Sequence, residues 1–200
     1  MCRIYLKLRK ENFMHNSLQY SHRLIKSKVQ PGDLVIDATA GNGHDTLFLA
    51  KLVGEKGQVL SYDIQKAAID NTRQRLEKEN LLHRASLIQR GHETIKQDLT
   101  PDSTIKAAMF NLGYLPGGEH SIVTKPNTTL KALQTLENYL VPRGMITIVA
   151  YHGHTGGKEE LTALQNYLMD LDQKRFSVLE YKFINQANNP PILYVIEKKR

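Results

Sequence analysis

The segment that most constrains the fold is 35–50, which reads VIDATAGNGHDTLFLA. It opens with an apolar pair that leads into Asp37, and it continues through a turn that contains Gly41 and Gly43. Beyond the turn, apolar residues recur at the spacing of one helix face as far as position 53. A buried strand, a glycine-rich turn and a helix in this order predict the first unit of a doubly wound α/β sheet.

The turn and the strand that follows it have the chemistry of an adenosine-binding site. Glycine permits positive φ and a close approach of the backbone to a ligand, and the start of the next helix offers unpaired N–H groups. A second apolar strand, 58–62, leads into Asp63, which lies twenty residues after Gly43. At that spacing a carboxylate can accept hydrogen bonds from both ribose hydroxyls of an adenosine.

A dinucleotide is the first alternative ligand. Its fingerprint, G-x-G-x-x-G, uses a third glycine for helix packing and places a pyrophosphate on the turn. Here Gly41-Asn42-Gly43 is followed by His44-Asp45-Thr46, so the third glycine is absent, and Asp37 and Asp45 add negative charge beside the pyrophosphate. The ammonium and sulfonium groups of S-adenosylmethionine are instead compatible with nearby acids. The turn therefore favours S-adenosylmethionine, with a plain glycine turn of an α/β protein as the remaining alternative.

Length and charge fit one domain with a core of its own. The chain has 200 residues, of which 40% are hydrophobic, and 27 Lys and Arg against 20 Asp and Glu give a net charge of +7. This charge is compatible with a phosphate-rich partner and does not require one. We expect a basic N-terminal extension over residues 1–14, either a mobile arm or a stretch outside the native protein. A single domain should follow over 15–200, as a monomer or a homodimer.

Cysteine and hydropathy patterns exclude several classes of protein. One cysteine, Cys2, excludes an internal disulfide and a cysteine-based zinc site. Five of the eight histidines are scattered among different loops, and the only close pair supplies two ligands, which do not make a site, so no metal is expected; the five are His83, His92, His120, His152 and His154. No apolar run approaches the length of a membrane span, and the N-terminus lacks a signal-peptide block. We therefore expect a cytoplasmic protein without membrane contact.

Helical and strand patterns alternate along the chain. Helices are predicted over 16–28, 43–53, 65–80 and 158–169, with one more from a cap at Asn127 or Thr128 to Tyr139. Strands are predicted over 33–38, 58–62, 85–88, 105–110, 145–151, 176–183 and 192–197. The last connection is too short for a crossover helix, so the final strand should be antiparallel. The expected fold class is α/β: a class I (Rossmann-like) S-adenosylmethionine-dependent methyltransferase with a mostly parallel seven-stranded sheet.

Ligands of an open parallel sheet bind beyond the carboxyl ends of its strands, where four segments of this chain should meet. These segments are 37–46, 63–65, 91–93 and 111–118. The residues predicted to bind the donor are Asp37, Thr39, Gly41, Asn42, Gly43, Asp45, Thr46, Asp63, Gln65, His92 and Asn111. His92 is the first choice for a contact with adenine and Glu93 the second. The alternative is that His92 only begins a helix.

The segment Asn111-Leu-Gly-Tyr114 follows the fourth strand, beside the expected position of the methyl group. It resembles the Asn/Asp-Pro-Pro-Tyr motif of methyltransferases that modify amino nitrogens, with Leu112-Gly113 in place of Pro-Pro. An amide oxygen and neighbouring carbonyls can accept the N–H bonds of an amine, and an aromatic ring can stack on a base. A turn that only leaves the strand is the alternative interpretation.

Methyl transfer to an amine is an in-line displacement that positioning can accelerate without a covalent nucleophile. A base that removes a proton from the amine would help, and the candidates are Tyr114, His152 and His154. Both histidines lie in a glycine-rich loop, 151–157, and each could instead be a solvated loop residue. The predicted catalytic residues are therefore Asn111, Tyr114, His152 and His154.

Four segments together resemble a known family of proteins. They are DATAGNGHDT (37–46), NLGYLPGG (111–118), HSIVTKP (120–126) and YHGHTGG (151–157). Over residues 17–197 the chain is similar to bacterial proteins labelled "putative rRNA methylases", whose characterised members are tRNA 5-aminomethyl-2-thiouridine methyltransferases.

The resemblance implies transfer of a methyl group from S-adenosylmethionine to the 5-aminomethyl nitrogen of 2-thiouridine at wobble position 34, which gives 5-methylaminomethyl-2-thiouridine. It implies the anticodon stem-loop of tRNA as the partner, with unpaired bases splayed and stacked on the protein. The residues assigned to substrate recognition are Tyr114, Lys125, His152, His154 and, in a turn near the rim of the site, Asn189. The alternatives are rRNA, a small-molecule amine, and a non-catalytic RNA-binding protein that has kept the fold.

Overall fold

The computed structural model of the protein describes residues 14–115, 117 and 122–199. The basic extension predicted for residues 1–14 lies outside the described residues apart from Met14, and so do residues 116 and 118–121 of the sequence motifs. The described residues form one sheet with helices on both of its faces.

Seven strands and five α-helices alternate in the described part of the chain. The strands are β1 (Leu34–Asp37), β2 (Gln58–Tyr62), β3 (Ala85–Ile88), β4 (Ile105–Leu112), β5 (Leu140–Ala150), β6 (Phe176–Tyr181) and β7 (Ile192–Lys198). The helices are α1 (Ser17–Lys26), α2 (His44–Val53), α3 (Lys66–Lys78), α4 (Pro126–Tyr139) and α5 (Gly157–Asp170). Two 3₁₀ helices, Leu82–Arg84 and His92–Asp98, flank β3.

The order of the strands in the sheet is β3-β2-β1-β4-β5-β7-β6. β1 to β5 pair in parallel, and β7 is antiparallel to both of its neighbours, β5 and β6. The strand order reverses between β1 and β4, so the crevice at which such sheets bind ligands opens at the carboxyl ends of these two strands. The prediction of a mostly parallel seven-stranded sheet with an antiparallel last strand is confirmed.

Helices cover both faces of the sheet, which explains the nearly continuous apolar runs of its central strands. On one face Ile25 of α1, Leu49 of α2 and Leu76 of α3 are fully buried. On the other face Leu133 of α4 and Leu164 of α5 are fully buried. Burial of one such side chain stabilises the fold by about 1.5–3 kcal/mol. The two layers therefore hold the strand ends, and the loops that follow them, in place.

The turn between β1 and α2 depends on a glycine at position 43. Gly43 has φ +76° and is the N-cap of α2. A Cβ at this position would lie 2.7 Å from the Cα of Thr72 in α3, which is closer than real Cβ contacts come. Glycine is therefore required for α2 to approach α3, and this contact fixes the turn beside the carboxyl end of β1.

Helix α4 begins earlier than the sequence predicts. Asn127 or Thr128 was expected to cap it, whereas the helix begins at Pro126 and its N-cap is Lys125, with φ −131° and ψ 145°. Proline suits the first helical position because the N–H that it lacks has no partner within the helix there. The predicted cap is therefore wrong, and the two polar residues lie in the first turn instead.

Strand β5 also begins earlier than predicted. A strand was expected from 145, but Leu140 already pairs with Ile105 of β4. The register then shifts before Met145 pairs with Ala107, and Arg143 has φ +62° within the extra stretch. The strand thus contains a bulge and begins five residues before its predicted start.

Candidate active site

Two cavities meet at the carboxyl edge of the sheet. The larger has a volume of about 840 Å³ and the smaller about 280 Å³. Both cavities are lined by Thr39, Gly41, Asn111, Gly113 and Tyr114. The loops that follow β1 and β4 therefore lie between the two cavities, at the reversal of the strand order.

The smaller cavity has the composition that an adenosine requires. Asp63 follows β2, and its carboxylate accepts hydrogen bonds from the backbone N–H groups of Gly41 (2.9 Å) and Gln65 (2.9 Å). A carboxylate has about four acceptor positions, so two remain for ribose hydroxyls. Ile64, which is 57% exposed, and Leu115 supply apolar surface against which a flat ring can pack.

His92 lines the smaller cavity with a ring that is nearly buried. Its Nδ1 lies 3.1 Å from the carbonyl oxygen of Ala38, which can only accept, so Nδ1 carries the hydrogen. Burial lowers the pKa of the ring, which keeps the imidazole neutral and leaves a lone pair on Nε2. Buried Nε2 has no hydrogen-bond partner in the part of the chain that the structure describes. It suits an N–H donor such as the amino group of adenine, and that contact stays a prediction.

The larger cavity brings together most of the residues that the sequence assigned to catalysis and substrate binding. Those that line it are Asn111, Tyr114, His152, His154 and Asn189. Lys125 is separate from them, because it lines the smaller cavity at the start of α4. The larger cavity is also lined by residues that the sequence did not assign to the site, among them Leu18, His22 and Tyr151.

Both histidines of the 151–157 loop have a buried ring nitrogen without a hydrogen-bond partner among the described residues. In His154 the other nitrogen, Nδ1, lies 2.9 Å from the carbonyl oxygen of Thr155, so Nδ1 is the donor and Nε2 carries the lone pair of the neutral ring. The ring contacts Tyr114 edge to face, with centroids 5.9 Å apart. A Cβ on Gly113 would lie 3.7 Å from Nε2, so this nitrogen is close to the loop that follows β4.

Asn111 lies at the end of β4. Its backbone N–H donates to the hydroxyl of Thr39 (2.7 Å), and its Nδ2 donates to Oδ2 of Asp45 (2.6 Å). Its Oδ1 makes no hydrogen bond with any residue that the structure describes. The carbonyls of Leu112 and Gly113, by contrast, each already accept one backbone N–H. The side-chain oxygen of Asn111 is therefore the one of these three oxygens that has both acceptor positions open to a substrate.

Three of the predicted donor-binding residues are not part of the wall of either cavity. Asp37 and Thr46 are fully buried, and the carboxylate of Asp37 accepts the hydroxyl of Thr46 (2.6 Å) and the N–H of Thr39 (3.1 Å). Burial raises the pKa of Asp37 to about 7, and the carboxylate of Asp45 adds to this. Gly43 packs against α3. These contacts hold the turn, and direct contact of the three residues with a donor stays a prediction.

One buried carboxylate near the site was not found from the sequence. Glu160 of α5 is 3% exposed and accepts the hydroxyls of Thr124 (2.6 Å) and Thr129 (2.8 Å). Thr124 in turn accepts the backbone N–H of Gly113 (2.9 Å). Glu160 thereby joins α4 and α5 to the loop after β4. No sequence pattern predicts this role, because its partners are 36 and 31 residues away along the chain.

Within residues 14–115, 117 and 122–199 no group of three or more His, Cys, Asp or Glu side chains is placed to hold a metal ion. No helix among the same residues is long and apolar enough to cross a membrane.

The sheet order with an antiparallel β7, and a crevice beside Asp63 and the glycine turn, define the class I fold of S-adenosylmethionine-dependent methyltransferases. Within this class, the chain belongs to the family described as "Putative rRNA methylase", whose profile matches residues 59–197. The family resemblance inferred from the sequence motifs is confirmed.

Three proteins define the similarity in more detail. A protein of Arabidopsis thaliana named tRNA (mnm(5)s(2)U34)-methyltransferase, chloroplastic, is 35% identical over 193 residues, which cover 90% of this chain and 69% of that protein. A crystal structure described as a "putative rRNA-methylase" from Clostridium thermocellum has 51% identity and a TM-score of 0.90, with 92% of this chain and 98% of the other covered. SMU.1697c, described as a "putative methyltransferase" from Streptococcus mutans and solved in complex with SAH, has 38% identity and a TM-score of 0.85, with 92% and 99% covered.

Proposed function

We propose that the protein methylates the primary amine of 5-aminomethyl-2-thiouridine at wobble position 34 of tRNA, with S-adenosylmethionine as the methyl donor. The observation that carries the proposal is the presence, at one cavity, of an amide acceptor at the end of β4 and a basic nitrogen: Oδ1 of Asn111 and Nε2 of His154. The name of the Arabidopsis relative supports the same reaction.

The two cavities fit the two ends of S-adenosylmethionine. Asp63 and the neutral ring of His92 would hold the adenosine in the smaller cavity. Asp45, which is 4% exposed, would balance the positive charge of the methionine end in the larger one. A buried nitrogen without a partner, Nε2 of His92, is a feature that a ligand would satisfy. When bound, the donor supplies an electrophilic methyl group on a sulfonium.

The hydrogen-bond acceptors in the loop after β4 favour an aliphatic amine, and not an exocyclic amino group of a base, as the group that is methylated. The nitrogen of an exocyclic amino group is conjugated with its ring, and two acceptors are needed to hold both N–H bonds out of the ring plane. Here the carbonyls of Leu112 and Gly113 each accept one backbone N–H group, so Oδ1 of Asn111 is the one of these three oxygens with both acceptor positions open. An aliphatic amine is already pyramidal, so one acceptor is enough to aim its lone pair.

An aliphatic amine must also lose a proton, because its ammonium form has no lone pair. Nε2 of His154 can accept that proton, and Nδ1 of His152 is the second candidate. The lone pair of the amine then forms the new N–C bond while the C–S bond breaks, and the electrons of the C–S bond remain on sulfur. The proton passes from the imidazole to solvent.

Two tyrosines make the larger cavity suitable for a base. Tyr114 and Tyr151 line this cavity, and each is 39% exposed. Stacking of a base on an aromatic ring contributes about 1–3 kcal/mol. The net charge of +7 adds a general attraction for the phosphates of an RNA.

The direct test is methylation of tRNA that carries 5-aminomethyl-2-thiouridine. The protein is incubated with this tRNA and S-adenosylmethionine, and the nucleosides are analysed by mass spectrometry. We expect one methyl group to be added to that nucleoside, and no addition to tRNA that already carries the methyl group. If calorimetry shows that the donor binds but the nucleoside gains no methyl group, the proposed substrate is wrong.

Two alternative acceptors are separated in parallel incubations with unmodified rRNA and with small amines. Methylation of either, with tRNA left unmodified, would replace the wobble nucleoside as the substrate. Asp63→Ala serves as the control in each incubation, because loss of the carboxylate in the smaller cavity should abolish donor binding and with it every transfer.

A further inference from the structure

One buried carboxylate joins helix α1 to the acceptor residue of the site. Asp45 accepts a hydrogen bond at Oδ1 from Nε2 of His22 (2.6 Å) and another at Oδ2 from Nδ2 of Asn111 (2.6 Å). His22 and Asn111 come from elements far apart in the chain and use the two oxygens of the same group. Charge-assisted hydrogen bonds of this length are stronger than neutral ones.

The carboxylate determines which way the carboxamide of Asn111 faces. If the amide were turned by 180°, its oxygen would oppose an oxygen of Asp45, and two acceptors repel each other. The observed orientation directs Nδ2 towards Asp45 (2.6 Å) and Oδ1 away from it. The acceptor that a substrate amine needs is therefore present only while Asp45 keeps its position.

His22 holds Asp45 from a fixed position. Its ring stacks on Phe48 of α2, with centroids 4.2 Å apart and planes 6° from parallel. Helix α1 is itself anchored, because the hydroxyl of Ser17 donates to the carbonyl of Pro191 (2.5 Å) and Asn16 caps the helix in a capping box. Loss of the imidazole N–H would leave one oxygen of a buried carboxylate without its donor, and the carboxylate could then rotate.

We infer that His22 is a positioning residue for methyl transfer, which acts through Asp45 to keep Oδ1 of Asn111 directed at the acceptor amine. This inference rests on the proposed function of Asn111. It gives α1 a part in the reaction, although α1 lies outside the 59–197 range that the family profile matches.

The first test compares two substitutions of His22 in turnover with the modified tRNA. His22→Phe keeps a ring that can stack on Phe48 but removes the hydrogen bond to Asp45. We expect kcat to fall about tenfold and the KM for tRNA to change less than about twofold, because the interaction acts in the transition state. His22→Gln restores an N–H donor and should recover most of the loss. His83→Phe, which removes a surface histidine paired with Glu55, is the matched control and should have wild-type turnover. Equal kcat in the His22→Phe protein and the wild type would overturn the inference.

A double-mutant cycle tests whether His22 acts through Asn111. When Asn111 is already alanine, the His22→Phe substitution should cause no further loss of turnover, because the group that it orients is absent. A full tenfold loss in the Asn111→Ala background would show an independent role for His22, and would overturn the inference.

A spectroscopic measurement separates the inference from the proposed function. The side-chain amide of Asn111 gives a ¹H–¹⁵N signal that is assigned by its absence in the Asn111→Ala protein. We expect His22→Phe to shift or broaden this signal and His22→Gln to leave it near its wild-type position. An unchanged signal in a folded His22→Phe protein would overturn the inference. If the tRNA assay shows no methylation at all, the proposed substrate fails, while this signal still decides whether His22 orients Asn111.

Discussion

A histidine can act as a base only if one ring nitrogen has an available lone pair. In His154 the bond from Nδ1 to the carbonyl of Thr155 gives the hydrogen to Nδ1, and buried Nε2 is left without a partner among the described residues. The loop sequence YHGHTGG showed only that two histidines lie close together. The assignment of a tautomer needed the carbonyl beside the ring.

We predict that His154→Ala lowers kcat about a hundredfold, within the range usual for a general base. Added imidazole should restore part of the activity, because it can occupy the space of the deleted ring. Turnover is measured with the modified tRNA at saturating donor, with His83→Ala as the control. A loss below about threefold, or a loss that lies entirely in donor affinity, would contradict a role for His154 as the base.

Asp37 gives a prediction about stability and pH. Its folded-state pKa, about 7, is above the usual 3.8, so between these values the folded protein binds more protons than the unfolded chain. The free energy of unfolding should therefore fall as pH rises through this window, by up to about 1.4 kcal/mol per pH unit from this group. Asp37→Asn should remove this decline, because an amide can still accept from Thr39 and donate to the oxygen of Thr46.

Urea unfolding of both proteins between pH 5 and pH 8 checks this prediction. The stability of the wild type relative to Asp37→Asn should decrease over the range. If the two curves run parallel, the carboxyl group of Asp37 titrates alike in the folded and unfolded chains, and burial does not raise its pKa.

At the scale of elements, the local sequence was sufficient for most of the fold. Strand β2 has the predicted limits, and α2, α3 and α5 agree within two residues at each end, because their apolar periodicity and flanking turns are local signals. The errors lie at the starts of α4 and β5, because Pro126 begins the helix ahead of the predicted cap and a bulge extends the strand back to Leu140.

The packing of α2 on α3 gives a prediction about two glycines. Gly43→Ala should destabilise the fold by about 2–4 kcal/mol, because it adds a Cβ against the backbone of Thr72 as well as strain at φ +76°. Gly32→Ala is the matched control: Gly32 also has positive φ (+98°), but a Cβ there meets nothing within 4 Å, so about 1–2 kcal/mol is expected. Chemical denaturation of both variants measures the difference. Equal losses would show that backbone strain alone requires glycine at position 43.

At the scale of the whole molecule, the net charge of the chain gives a prediction about the proposed binding of tRNA. A net charge of +7 over 200 residues should produce contacts with several phosphates of the anticodon stem-loop. The logarithm of the tRNA association constant should then fall linearly with the logarithm of salt concentration, with a slope of about −0.7 to −0.9 for each phosphate that is neutralised. Fluorescence titrations at several salt concentrations measure the slope. A slope near zero would favour a small amine as the substrate.

The composition of the site was predictable only in part. The glycine turn and Asp63 were assigned to the site because they follow predicted strands at a fixed spacing, and Asn111, Tyr114, His152 and His154 because they follow later predicted strands of the same sheet. Lys125 was grouped with the histidines but lines the other cavity. His22 and Glu160 were not assigned to the site, because on a helix each looks like an ordinary polar residue.

The alternation of strands and helices, the antiparallel last strand and the position of the site at the carboxyl ends of the strands follow from the sequence by itself. Hydrophobic periodicity, glycine turns and connection lengths are local signals that act over a few neighbouring residues, and each of them is clear in this sequence. The chemical state of the site was decided by the tertiary structure. The amide of Asn111 is oriented by Asp45, which lies 66 residues earlier in the chain. Asp45 is in turn held by His22, which lies a further 23 residues towards the N-terminus. Hydrogen-bond partners and burial act through space, so the orientation of an amide, the tautomer of an imidazole and the pKa of a carboxyl are set only when distant segments meet.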